Sequence, residues 1–440
     1  MLEKIRAYPM IVLLLPLVAA ILLCERTGVF YPEEKAVYDS LLVHTFVLTS
    51  ENKSTAKCER FEASTYGGKV YVYVLRDSIK GSLHAGDTVI AQTIIRRADS
   101  IGDFDYHQYL LRQGIIGSAF VSRYQVKPCT EYREPLQKRL YRRLEAAGLE
   151  GDELATTGAL TLGYKEDLDP ELRHRFQSSG AAHVLAVSGL HTGIIYILLM
   201  SLLTLGGRIK PKHENQAGRC AISILIIAAM WCYAWLTGFT PSVVRAVIMV
   251  SIVEAGRMFY RQGLTLNSIA AAAVLILIVR PLDLWSVSFQ LSFTATIAIV
   301  LIAKWCEKRI PRLEMREFPR RLCAWFTGTI IVSIAAQIGT LPLTMYYFGY
   351  ASTYFLLTNL IVLPIATFLV PCGLFSIVSG GSPAGVLFTK ITRSLAWLMN
   401  HSVGWIESLP GSTIAAHVSE GMVVTYYVLV LMLCLVIYKK

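Results

Sequence analysis

The sequence predicts a polytopic α-helical membrane protein with an extracytoplasmic OB-like β-barrel domain. Three observations lead there. Apolar residues fill 54% of the 440 positions and charged residues 17%, below the roughly 25% of a soluble protein. The charge is unevenly spread, with 33 charged residues in positions 26–150 and 27 in positions 181–440. Between residues 40 and 128, short β-rich runs alternate with Gly, Asp and Ser. Four segments follow: a membrane anchor at 1–25, the OB-like domain at 26–130, a basic amphipathic helix with connecting helices at 131–182, and a polytopic membrane domain at 183–440. This composition excludes a disordered chain, a collagen-like chain and a small disulfide scaffold.

A bilayer core takes about 20 mostly apolar residues per helix. The first such run, 9–24, has no small-x-small cleavage site and is followed by Glu25 and Arg26, so it reads as a retained anchor. Further candidates are 183–205, 220–237, 242–260, 266–279, 284–303, 323–346, 354–378 and 421–438. The 266–279 run is short for a crossing. The 385–406 segment mixes Lys390 and Arg393 with Leu and Trp and reads as interfacial. Lys4 and Arg6 precede the first span; Arg208, Lys210, Lys212 and Arg219 follow the second; Arg257 and Arg261 stand at the end of the fourth. The 304–321 loop has seven Lys/Arg against three Glu. If every span crosses, these fall on one side, which the positive-inside rule makes cytoplasmic. The N-terminus is then cytoplasmic and 26–182 lies outside the cytoplasmic (inner) membrane. Nine crossings put the C-terminus outside, while Lys439 and Lys440 favour the inside, and the parity stays open.

In the outer domain, VHTFVLTS, KVYVYVLRD, DTVIAQTIIRR and GSAFVSRYQV read as strands, few and short enough for a small barrel. Val70, Val72 and Val74 share one face of their strand and should fill the core; Tyr71 and Tyr73 share the other. The tyrosines either stack nucleic-acid bases, at about 1–3 kcal/mol each, or pack a sheet surface. The domain's net charge is only +3 over 26–150. Arg133, Lys138, Arg139, Arg142 and Arg143 cluster late, and Leu136, Leu140 and Leu144 repeat at i, i+4. That basic amphipathic helix either guides phosphates or sits on anionic lipid headgroups. Cys58 and Cys129 face an oxidising compartment in this topology and are expected to form a disulfide, worth up to about 4 kcal/mol by chain entropy; two thiols are the alternative. The remaining cysteines lie in or beside apolar spans and read as small hydrophobes.

The stretch 154–195 runs from a soluble-looking helix into HVLAVSGLHTGII. Gly189 and Gly193 form a small-x-x-x-small pair that permits close helix packing. As one helix, His183 and His191 would stand about 80° apart and two turns distant, with Ser188 one turn from His191. Lipid cannot satisfy such groups. They line a hydrophilic pore, or Ser188 and His191 form an intramembrane nucleophile pair, or they are interhelical hydrogen-bond glue. Arg245 and Glu254 are nine residues apart, about 180° round their helix, so each needs another partner. Gln290, Gln337 and Asn359 are further polar groups at depth, and Pro342, Pro364 and Pro371 should break helices there. Buried polar groups on broken helices are tolerated where they line a cavity, which favours a conduit.

No P-loop, H-E-x-x-H or C-x-x-C occurs, so driving force must come from a partner or a gradient, and no cofactor, catalytic residue or metal site is expected.

These residues resemble the ComEC family of competence proteins. The resemblance is carried by HVLAVSGLHTG (183–193) with the preceding LTLGYKEDLDPELRHRFQSSGAAH, by LTGFTPSVVRAVIM (236–249), by NSIAAAAVLILIVRPLDLWSVSFQLSF (267–293), and by AAQIGTLPL with TNLIVLP (335–364). In the outer domain, GDFDYHQYLLRQGIIG (102–117) resembles the segment that ends the family's OB-like domain. It implies a competence-type channel for single-stranded DNA in natural transformation; on the polar residues at depth, that channel is expected to be lined by His183, Ser188, His191, Arg245, Gln290, Gln337 and Asn359. It implies as partners single-stranded DNA, membrane lipid, a cytoplasmic helicase-type motor and an outer DNA receptor, and leaves room for a separate nuclease and a homo-oligomer. Many members carry a C-terminal metallo-β-lactamase-like nuclease domain. None is recognisable before Lys440, so the chain reads as a short form or a fragment, and no enzymatic activity is expected. The rivals are an intramembrane hydrolase using Ser188 and His191, a lipid or small-solute transporter, and a scaffold with a closed cavity.

Overall fold

The computed structural model describes residues 9–27, 38–50, 53–54, 58–75, 83–98, 105–129, 134–185, 187–204, 216–259, 266–307, 309, 317–416 and 418–439. Arg133 and most of the basic loop residues lie outside the described residues. The chain packs as two units, one of 16–135 with 280–285, the other of 1–15, 136–279 and 286–440.

The first unit is built on a curled sheet. Its strands are β1 (Leu42–Leu48), β2 (Lys53–Ser54), β3 (Cys58–Thr65), β4 (Gly68–Leu75), β5 (Thr88–Thr93), β6 (Ile95–Arg96), β7 (Ile115–Val121) and β8 (Gln125–Lys127). They lie in the order β6-β7-β4-β3-β1-β5-β8, with β2 on β3. Only residue 94 separates β5 from β6, yet the two sit towards opposite ends of that order. The sheet must therefore curl back on itself. Val70, Val72 and Val74 are fully buried inside the curl with Phe46 and Phe61. The opposite face of β4 is covered. Tyr71, 9% exposed, packs with Leu110 and Ile115 under the helix Tyr106–Arg112 (α2), and Arg60 lies over its ring. Tyr73 stacks on Phe120 at 4.9 Å.

The expected disulfide is not present: Cys58 and Cys129 are both thiols. The ladder explains why. Three strand spacings, about 14 Å along the sheet, separate β3 from β8. The registers Ser64↔Val47, Val47↔Thr88 and Thr88↔Lys127 also offset the two cysteines along the strands. A disulfide needs Cα atoms within about 7 Å.

The second unit is helical: α3 (Leu136–Ala146), α4 (Gly151–Leu162), α5 (Pro170–Ser178), α6 (Ala182–Leu185), α7 (Gly189–Leu203), α8 (Gln216–Leu236), α9 (Pro241–Met258), α10 (Leu266–Val279), α11 (Val287–Glu307), α12 (Glu317–Phe348), α13 (Phe355–Ser379), α14 (Pro383–Glu407) and α15 (Glu420–Lys439). Among the described residues, α1 (Pro9–Arg26), α8, α11, α12 and α13 contain five spans long and apolar enough to cross a membrane; α7 and α10 are shorter apolar helices. The protein is thus a multi-pass membrane protein, but nine alternating crossings do not hold. Leu236 ends α8 and Ile377 nearly ends α13, and both line one cavity, whereas strict alternation sends those ends to opposite faces. The α14 segment is not purely interfacial, since Thr389, Thr392, Ala396, Met399 and Val403 are buried.

The prolines do not break their helices. Pro342 lies inside α12, and Pro364 and Pro371 lie inside α13. Pro342 cannot donate to the carbonyl four residues before it. The Tyr426 hydroxyl of α15 donates to that Ile338 carbonyl at 2.9 Å, and Tyr427 donates to the Gly339 carbonyl at 2.7 Å. A neighbouring helix thus satisfies what proline leaves open.

Candidate functional site

The polar centre begins where the sequence expects one unbroken helix. Helix α6 ends at Leu185, and α7 starts with Ser188 as its N-cap at φ −122°, ψ 177°. Ser188 and His191 form a capping box, with His191 where Glu or Gln is usual. The Leu190 N–H donates to Ser188 Oγ at 3.3 Å, and the Ser188 N–H donates to His191 Nδ1 at 3.1 Å. The two-turn relation between His183 and His191 therefore does not exist. His183 stands exposed on α6, 3.1 Å through Nδ1 from the Gly180 carbonyl. Ser188 Oγ is 3.1 Å from His191 Nδ1, but that nitrogen already accepts a backbone N–H, which is a cap rather than an activated nucleophile. His191 is fully buried, and its Nε2 has no protein partner among the described residues.

From this break a series of polar contacts crosses the helices. Ser242 at the start of α9 donates to the Val187 carbonyl at 2.6 Å. One turn on, Arg245, 3% exposed, donates through Nη2 to Ser288 of α11 at 2.6 Å. Gln290, two residues along α11, accepts from the Tyr347 hydroxyl of α12 at 2.8 Å. Asn359 of α13 donates to Ser333 of α12 at 3.1 Å, and its Oδ1 has no partner among the described residues. Gln337 is half-buried on α12. Arg245 and Glu254 do not pair with each other, as their spacing requires.

The predicted packing glycines are not where helices close. A Cβ on Gly193 would meet nothing within 4 Å, and one on Gly189 only Ala246 at 3.9 Å. The close approaches are elsewhere: a Cβ on Gly339 would stand 2.7 Å from the Thr294 carbonyl, and one on Gly373 2.8 Å from Thr161.

A second buried cluster surrounds Glu254, which is fully buried. Tyr196 of α7 donates to Oε1 at 2.6 Å, Ser223 of α8 to Oε2 at 2.8 Å, and Arg257 to Oε1 at 2.9 Å. From sequence, Glu254 had no named partner; the i, i+3 spacing to Arg257 is a signal that could have supplied one, while Tyr196 and Ser223 give none.

On the proposed guidance residues, Tyr71 and Tyr73 are engaged as described, and burial pushes the Tyr71 hydroxyl up to about 12 against the pull of Arg60. Helix α3 turns Tyr141 and Leu144 into the protein and leaves Arg139, Arg142 and Arg143 exposed. Lys138 is half-buried. Two cavities of about 400 Å3 open on the helical unit. One is lined by acidic residues including Asp152, Glu171 and Glu407, the other by apolar residues with Arg143; the predicted channel residues line neither.

The competence protein family model matches residues 160–440. ComE operon protein 3 of Bacillus subtilis is 27% identical over 317 residues, 70% of this chain and 37% of that protein. Recombination protein 2 of Haemophilus influenzae is 24% identical over 64% of this chain and 35% of its own length. Competence protein ComA of Neisseria gonorrhoeae is 27% identical over 60% and 37%. The chain spans a little over a third of the length of these curated relatives. No solved structure matches.

Proposed function

The chain belongs to the competence protein family, and from that premise we propose that it carries single-stranded DNA across the bacterial cytoplasmic membrane during natural transformation. The observation that carries this reading is the polar seam from the α6–α7 break through Ser242 to Arg245 and Ser288, with the Gln290–Tyr347 pair on the opposite side of α11. His191 beside it, and Asn359 on α13, keep buried polar atoms that no protein group satisfies among the described residues. Buried orphan atoms in a native structure call for water or a ligand, and Arg245 supplies the positive charge that a phosphate backbone follows. The curled sheet supports an OB-like assignment. Its closed order runs β1-β3-β4-β7-β6/β5-β1, with β4 and β7 the parallel pair, as in a five-stranded Greek-key barrel. In this reading the sheet faces the outside, the N-terminus is cytoplasmic, and a motor and an outer receptor act in trans.

The hydrolase rival draws on the 3.1 Å Ser188–His191 approach, but the backbone already occupies that lone pair. The test is labelled-DNA uptake in a null strain complemented with this chain, scoring surface-bound and internalised label separately. Arg245→Gln should leave bound label unchanged and lower internalised label about tenfold, the worth of one charge-assisted contact. Normal internalisation with Arg245→Gln and Asn359→Ala combined would overturn the seam as the path.

A further inference from the structure

The apolar cavity of the helical unit is a groove between α3, α8 and α13. Leu140, Leu236, Leu374 and Ile377 form its walls. Two polar groups interrupt them. Arg143 is exposed, and its guanidinium has no partner among the described residues. Tyr233 is 5% exposed, and its hydroxyl makes no hydrogen bond among the described residues. Beside the groove, α8 and α13 turn Trp231, Trp235, Phe375 and Val378 outward. Tryptophan in such a belt marks the depth at which hydrocarbon gives way to headgroups. Arg139 and Arg142 extend the positive charge along α3.

We propose that this groove holds one anionic phospholipid, with an acyl chain along Leu236, Leu374 and Ile377 and its phosphate on Arg143. Charge complementarity selects the occupant. An apolar protein segment would leave Arg143 without a counter-charge, and a DNA strand would lay phosphates against aliphatic walls. A zwitterionic lipid offers the same chains but brings its own cation to the phosphate. The assignment separates the two readings of the basic helix: Arg143 serves the bilayer, whatever crosses the seam. It does not depend on the transport reading.

The full chain in mild detergent can be titrated with dioleoylphosphatidylglycerol or dioleoylphosphatidylcholine, with lipid retention read by native mass spectrometry and thermal midpoint. Phosphatidylglycerol should bind about tenfold tighter, as a charge-assisted phosphate contact implies. Arg143→Gln should bring the two lipids to parity, whereas Arg139→Gln, on the same helix but off the groove, should keep most of the preference. Leu374→Trp should fill the groove and lower retention of both lipids. Should Arg143→Gln fail to fold, Arg143→Lys keeps the charge and should keep the preference. Equal binding of both lipids by the unmodified chain would overturn the proposal. So would an Arg139→Gln variant that loses as much as Arg143→Gln, which makes the effect general helix charge. Displacement of phosphatidylglycerol by a single-stranded oligonucleotide, dependent on Arg143, would overturn it in favour of strand guidance.

Discussion

The curled sheet and the helical unit solve opposite problems. Among the described residues of the sheet unit, Asp87 and Thr93 are the buried polar side chains, and each is tied to backbone: Asp87 accepts from His84 and Cys129 N–H groups at 2.8 Å, and Thr93 donates to the Phe120 carbonyl at 2.7 Å. Ladder hydrogen bonds satisfy the chain, and the interior is left to Phe46, Phe61 and the β4 valines. The helical unit buries His191, Arg245, Glu254, Asn359 and Asn400 with many serines and threonines, and exposes Leu225, Trp235, Ile278, Phe368 and Val378. Lipid welcomes the second set and cannot serve the first. Polarity therefore moves inward, and its loss should hurt the helical unit as loss of apolar volume hurts the sheet.

The largest effect should come at Glu254. Glu254→Ala strands the half-buried Arg257 and Tyr196 and the buried Ser223 and should cost about 3 kcal/mol, the lower end for losing one partner of a buried pair. Phe46→Ala should cost a similar amount in the sheet through its cavity. Thermal unfolding of both variants in detergent checks the symmetry. A Glu254→Ala variant that unfolds like the unmodified chain yet fails in uptake would break the contrast and make the cluster part of the path.

Next come the glycines. Gly339→Ala pushes a methyl against the Thr294 carbonyl, a backbone atom that cannot swing away, and should cost about 1–3 kcal/mol. Gly193→Ala meets open space and should gain up to about 1 kcal/mol of helix propensity. Reversed signs in a paired stability measurement would return the close contact to the sequence motif. Ser188→Ala removes a cap worth about 1 kcal/mol and should retain most DNA uptake. Complete loss of function in a folded Ser188→Ala protein would favour the nucleophile reading instead.

How much of this was legible follows the range of the interactions. Alternation revealed β1, β4, β5 and β7 because residues two apart share a face. The strand CERFEAST was missed because only Phe61 and Ala63 alternate as buried apolar positions in β3. Periodicity found α8, α11, α12 and α13. It read through the Ser188 break because a capping box with His in place of Glu carries no strong composition signal. It overread the prolines because Tyr426, some 88 residues away from Ile338, supplies the missing hydrogen bond. Polar residues set inside apolar runs pointed to Arg245 and Gln290. No local pattern could pair Arg245 with Ser288, or tell that Tyr71 lies beneath α2.

The smallest effect should appear in the sheet unit, at His44. It lies on β1 with Nε2 buried and unpartnered, its ring 5.8 Å from Phe46. Burial lowers its pKa from 6.5, so the folded sheet prefers the neutral ring. The unfolded chain then takes up the proton first as pH falls. The stabilisation is complete above about pH 6.5 and is lost as pH drops through the lower folded value. The sheet unit's thermal midpoint should therefore decline modestly between pH 7.5 and 5.5, and His44→Phe should flatten the slope. Were the slope unchanged in His44→Phe, acid sensitivity would belong to another group, and the sheet would hide a polar dependence of the kind the helical unit displays openly.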